Sequence, residues 1–125
     1  MKINSLDVQQ EINDLNKVEE IDISKNATNA IKTITRAIIR KYGHVYSINL
    51  AINVNDIPAT STTTLFKTEL RPGQSLELSC FVDNSAGRYN VHRVVLNTDG
   101  NINMLTTNVG ISEGLFCPIF GTIII

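Results

Sequence analysis

The sequence contains no tryptophan, and only two cysteines, two histidines and three prolines among its 125 residues. Each scarcity excludes something. The two cysteines form no CxxC motif and no Cys/His pair at metal-ligand spacing, so neither a zinc-type site nor a disulfide framework is indicated. Cys80 and Cys117 sit in the apolar runs Cys80-Phe81-Val82 and Phe116-Cys117-Pro118 and read as buried thiols, with a disulfide as the alternative. His44 and His92 both fall inside strand-like segments, and no HExxH, GxSxG or glycine-rich phosphate loop occurs. The acids of the second half are scattered one per loop or strand, which is no arrangement for a carboxylate pair cleaving glycosides. No catalytic residue, metal or cofactor is therefore expected. The apolar runs are too short to span a bilayer, and after Lys2 the chain turns acidic, unlike a secretion signal; synthesis in a cytoplasm is expected. A net charge of −1 gives no overall pull toward nucleic acid or a membrane surface.

What is abundant is β-forming material. Apolar residues make up 42 % and charged residues 18 %, enough apolar mass for one folded domain and too little charge for a disordered chain. Residues His44–Asn53 alternate, with Tyr46, Ile48, Leu50, Ile52 and Val54 on one face. Further strands are predicted over Thr62–Leu70, Gln74–Val82, Tyr89–Asn97, Asn101–Thr107 and Leu115–Ile125. Arg71-Pro72-Gly73 has turn chemistry, and Asp99-Gly100 suits a type I′ hairpin turn. The closing Ile123-Ile124-Ile125 breaks one-sided alternation and predicts a strand covered on both faces, in a two-sheet core or by a neighbouring subunit.

Residues 21–43 carry both signals: Ile31, Ile34 and Ile38 have helical spacing, but the β-branched content favours strands. Lys25, Lys32, Arg36, Arg40 and Lys41 occur there without an acid; alternating with Ile34, Ile38 and Ile39, they read as the solvated face of an amphipathic segment rather than a nucleic-acid groove. Before this, Met1, Val8, Ile12 and Leu15 follow a heptad, a narrow seam too short to stand alone. The division expected is a helical stalk or neck segment over 1–22 and a β head domain over 23–125.

The run Arg40-Lys41-Tyr42-Gly43-His44-Val45, the turn Leu70-Arg71-Pro72-Gly73, the segment Val91–Leu96 with Asp99-Gly100-Asn101-Ile102, and the apolar last strand resemble the C-terminal head of phage tail-fibre and baseplate receptor-binding proteins, lactococcal ones above all. The resemblance spans residues 30–125. It implies an all-β antiparallel sandwich or barrel head, a homotrimer on a stalk, at the tip of a virion tail assembled in the host cytoplasm. Its partners would be the host cell-wall polysaccharide and other baseplate or tail proteins, with neither nucleic acid nor membrane. Binding would be multivalent and non-catalytic. Several such heads use tryptophan against the sugar, and this chain has none, so no binding residue transfers directly.

A site is then chosen by chemistry. Sugars are held by planar polar groups, bidentate charged groups and an aromatic face. The densest such set is Asp83, Asn84, Arg88, Tyr89, Asn90, His92 and Arg93, whose cations suit a phosphate-bearing polysaccharide. The alternatives are a structural trimerisation or tail-assembly module without ligand, and a tail-associated depolymerase.

Overall fold

A computed structural model describes residues 17–83 and 89–125. Among these the chain forms β1 (Val18–Asp22), β2 (Ile31–Tyr42), β3 (Val45–Val54), β4 (Thr62–Lys67), β5 (Leu76–Asp83), β6 (Tyr89–Val91), β7 (Arg93–Leu96), β8 (Asn101–Leu105) and β9 (Phe116–Ile124), with one 3-10 turn at Ser24–Asn26. Every pairing is antiparallel. The all-β expectation holds, and the isoleucine-rich stretch before Gly43 is a strand. The heptad at the start of the chain lies outside the described residues. The last five residues assigned to the neck, Val18–Asp22, are strand, paired with Tyr42–Ile38 of β2.

The sheet runs β1-β2-β3-β9-β5-β7-β8-β4, with β6 also on β5. It curls until its ends meet. Ala27, just after the 3-10 turn, bridges to Phe66 of β4. Thr28 donates its N–H to the Leu65 carbonyl (2.9 Å) and its hydroxyl to the Thr64 carbonyl (2.5 Å). The Asn26 amide reaches the Lys67 carbonyl at 2.7 Å. The connection between β1 and β2 therefore closes the curl against β4, which satisfies backbone groups that an open edge would leave to water.

The period-two pattern decides which side chains line the inside. Ile48, Leu50, Ile52 and Val54 of β3, Leu78, Cys80 and Val82 of β5, and Ile102 and Met104 of β8 are all buried in one core. Each such aliphatic side chain contributes about 1.5–3 kcal/mol relative to exposure. In β4 the neighbours Leu65 and Phe66 are both fully buried. A register shift between Thr64 and Phe66 makes this possible, because a bulge re-aims a side chain that simple alternation would send to solvent.

Two turns carry the register. Tyr42 pairs with Val45 across Gly43-His44, and Gly43 alone has positive φ (59°), as a type II′ hairpin with glycine first requires. At Asp99-Gly100 the expected type I′ turn is not formed. Only Gly100 has positive φ (88°), the Gly100 N–H bonds the Asn97 carbonyl, and the Asn97 N–H bonds the Asn101 carbonyl. This is a three-residue loop with glycine in the left-handed region. The reason is tertiary. The Gly100 carbonyl accepts from both the N–H (3.0 Å) and the hydroxyl (2.7 Å) of Thr68, and a Cβ at position 100 would collide with the Thr68 and Leu70 carbonyls.

Within the chain the last strand is covered on one face only. Ile123 is 6 % exposed and Ile124 is 74 % exposed. Phe116, Phe120 and Ile124 point outward from β9, and Phe120 stacks on the outward Phe81 of β5 with centroids 6.4 Å apart. The inward side of the same two strands carries Cys80 and Cys117, both buried and reduced. A hydrogen bond with Cys117, reinforced by burial, holds the Cys80 thiol protonated.

Candidate functional site

The loop-side residues singled out by sequence are only partly placed. Asp83 ends β5 opposite Tyr89, and Asn90 lies opposite Val82. Asn84 and Arg88 lie outside the described residues. The strand predicted over Tyr89–Asn97 is broken at His92 into β6 and β7. The shared register, Phe81 with Val91 and Leu78 with Val94, sets His92 opposite Cys80. His92 is 2 % exposed, and among the described residues neither ring nitrogen has a hydrogen-bond partner. Burial alone pushes its pKa below the usual imidazole value, so the ring is held neutral. Arg93, the next residue, faces solvent, and its Nε (3.0 Å) and Nη2 both donate to Glu77 Oε1. The structure thus turns the histidine into the core and pairs the arginine on the surface.

A better-formed site lies elsewhere, where β2 and β3 turn at Gly43. A cavity of about 260 Å³ opens between β1 and the connection leaving β4. Its floor is apolar: Ile21 and Ile23 from the β1 side and Ile39 from β2, with Leu70 opposite. Glu19 of β1 pairs in register with Lys41 of β2, and Lys41 with Tyr46 of β3, so these three lie in a row across the sheet. The Lys41 ammonium stands 5.8 Å from the Tyr46 ring centroid, a cation–π distance. The far wall is Thr68, Glu69 and Leu70. That wall is fixed by the Gly100 contact and by Arg71, whose Nη1 donates to the carbonyls of Thr68 (3.1 Å) and Leu70 (2.8 Å). At the rim, hydrogen bonds from the Ser24 hydroxyl and N–H hold the Asp22 carboxyl below the usual carboxylate range. Glu19, Lys41 and Glu69 form no ion pair with one another among the described residues.

Such a cavity suits a small polar ring. It offers an apolar floor and an aromatic side chain for C–H faces, with carboxylates, an ammonium and an amide around them. Its volume lies at the small end of ligand pockets, which argues for one ring rather than an extended chain.

Several solved structures share this architecture, among them two from phages. The head domain of lactococcal phage bIL170, described among receptor-binding domains of lactococcal phages, superposes with a TM-score of 0.68 at 11 % identity, over 87 % of this chain and 99 % of that one. The receptor-binding protein gp15 of Listeria phage PSA gives 0.63 at 14 % identity, over 94 % of this chain and 71 % of that one. The chain has the fold of phage receptor-binding heads. No family model and no curated protein sequence matches it. At such identities the head fold is carried by strand order, turns and apolar periodicity, not by shared side chains.

Sequence reasoning missed the cavity of this head fold. Glu19 was assigned to the neck, Lys41 to a solvated face, Tyr46 to the core stripe and Glu69 to the scattered acids. The hairpin at Gly43 gave the one local clue, because its register alone sets Lys41 beside Tyr46. Nothing local could bring Glu69 across from Glu19; that needs the curl to close.

Proposed function

We propose that this domain is the receptor-binding head of a phage tail and attaches the virion to a host cell-wall saccharide without cleaving it. The observation that carries this is the cavity between β1 and the Thr68–Leu70 wall, sized for a single sugar ring, in a fold shared with two receptor-binding heads. Asp83, Asn84, Arg88, Tyr89, Asn90 and Arg93 remain a second candidate contact set on their chemistry alone. A homotrimer on the N-terminal stalk fits the outward apolar stripe of Phe81, Phe116, Phe120 and Ile124, since a patch of this kind favours association. Three weak sites on one rigid trimer bind a repetitive surface far more tightly than one site does.

The test is adsorption. The purified full chain, fluorescently labelled, is expected to decorate cells of a sensitive Gram-positive host, to block adsorption of the parent phage, and to sediment as a trimer. A protein that neither decorates cells nor competes with phage overturns the reading. A stable trimer that binds no wall polysaccharide would make it an assembly module, and release of reducing ends from that polysaccharide would make it a depolymerase.

A further inference from the structure

We infer that the cavity takes a saccharide ring bearing a free amine in preference to a phosphorylated one, with Glu19 and Glu69 meeting the ammonium from opposite walls. This rests on the receptor-binding reading and specifies the ligand of the same site. It also reverses the expectation drawn from Arg88 and Arg93, whose cations pointed to a phosphate-bearing polymer.

The argument is the charge inventory of the walls. Glu19, Asp22 and Glu69 supply three carboxylates around the opening, and Lys41 the single ammonium. Asp22 is engaged by Ser24, and Lys41 lies over Tyr46. That leaves Glu19 on β1 and Glu69 on the facing connection as exposed carboxylates on either side of an apolar floor. Three carboxylates against one ammonium leave the lining with an excess of negative charge, and low-dielectric walls concentrate its field. A phosphate entering there meets net repulsion, whereas an ammonium meets two acceptors and forms charge-assisted hydrogen bonds. The acids do not form a metal site: no three ligating side chains converge among the described residues. The cavity has room for a cation larger than a bare ion, an amine carried on a ring whose C–H face would rest on Ile21, Ile39 and Tyr46.

The experiment is a calorimetric titration of the full chain with three probes: the glucosamine trisaccharide, its fully N-acetylated counterpart, and glycerol phosphate. The free-amine sugar is expected to bind at least tenfold more tightly than the acetylated one, and glycerol phosphate more weakly still. Glu69→Gln and Glu19→Gln, both at exposed positions and checked for an unchanged melting temperature, are expected to bring the two sugars to within twofold of each other. Amide shifts at Tyr46 and Lys41 would locate the binding. Equal affinity for the amine and its acetylated form overturns the inference, as does tighter binding of glycerol phosphate or failure of both sugars to bind. If labelled protein still decorates host cells in any of those cases, the receptor-binding reading survives and only the ligand class falls.

Discussion

At the end of the curl where β3 finishes, the loops are laced to one another; at the end where β3 begins, the walls stand apart. In the first, Ile57 and Ile111 bridge, each donating its N–H to the other's carbonyl at 2.9 and 2.8 Å. Thr106 there is nearly buried, and its hydroxyl donates to the Pro58 carbonyl at 2.6 Å and accepts from the Ser61 N–H at 3.0 Å. Thr60, at φ 50°, is held in a conformation β-branched residues avoid by a 2.6 Å bond from its N–H to the Thr107 carbonyl. At the second end, the Gly100 carbonyl and the Arg71 guanidinium fix the wall, and the exposed Glu19 and Glu69 carboxylates beside it are left for solvent or ligand. The difference is in how polar groups are used. One end spends them on the fold, and the other keeps them available.

The sharpest way to break this comparison is Gly100→Ala. It removes the only residue type that fits, and is expected to cost about 2–4 kcal/mol in urea unfolding and to abolish binding, because the Thr68–Leu70 wall moves. Next is Thr106→Val at the laced end, with an expected loss of about 1–3 kcal/mol, chiefly from the Ser61 N–H left without its acceptor while the Pro58 carbonyl keeps the Ser61 hydroxyl, and with binding unchanged. If Thr106→Val weakened binding as much as Gly100→Ala, the two ends would not be independent.

A third prediction concerns acid. His92 is held neutral in the fold while the unfolded chain titrates near 6.5, so above that pH the two states bind protons alike. As pH falls below about 6.5 the unfolded state gains a proton that the folded state refuses, and stability drops. Melting temperatures between pH 7.5 and 5 should show this decline, and His92→Phe should flatten it. Smaller still is Glu69→Gln, expected within about 0.5 kcal/mol of the parent in stability, since an exposed carboxylate with no ion pair among the described residues supports no packing. Arg93→Ala should be similar, about 0.5 kcal/mol, because an exposed ion pair is worth little even with two donors on one oxygen.

Much of the fold was legible because strand alternation is local. The stripe from Tyr46 to Val54 specifies β3 and its inner face without reference to any neighbour. Where the reading failed, a distant contact had decided. Asp99-Gly100 was assigned a turn on its own chemistry, but Thr68 dictates which turn forms. Of the two covers expected for the triple isoleucine, the core of the chain supplies one, over Ile123, and Ile124 is outward, where only a neighbouring subunit could cover it. The site was less legible than the fold for the same reason. A cavity is made of residues from strands that meet only on closure, so Glu19 and Glu69 carry no mark of it in the chain.

The backbone ladder between β5 and β9 has two register pairs, Ser79 with Phe120 and Cys80 with Ile119, and side chains extend the junction beyond it, Phe81 stacking on Phe120. The other junction of the curl is the brief contact of residues 26–28 with β4. The sheet can be divided into β1-β2-β3-β9 and β5-β7-β8-β4, with β6 added on β5, and the two parts share one core. Force applied across the sheet would load the β5–β9 ladder and the contact of residues 26–28 with β4, and amide exchange at Ser79 and Cys80 in partial denaturant reports whether the two parts separate before either one unravels.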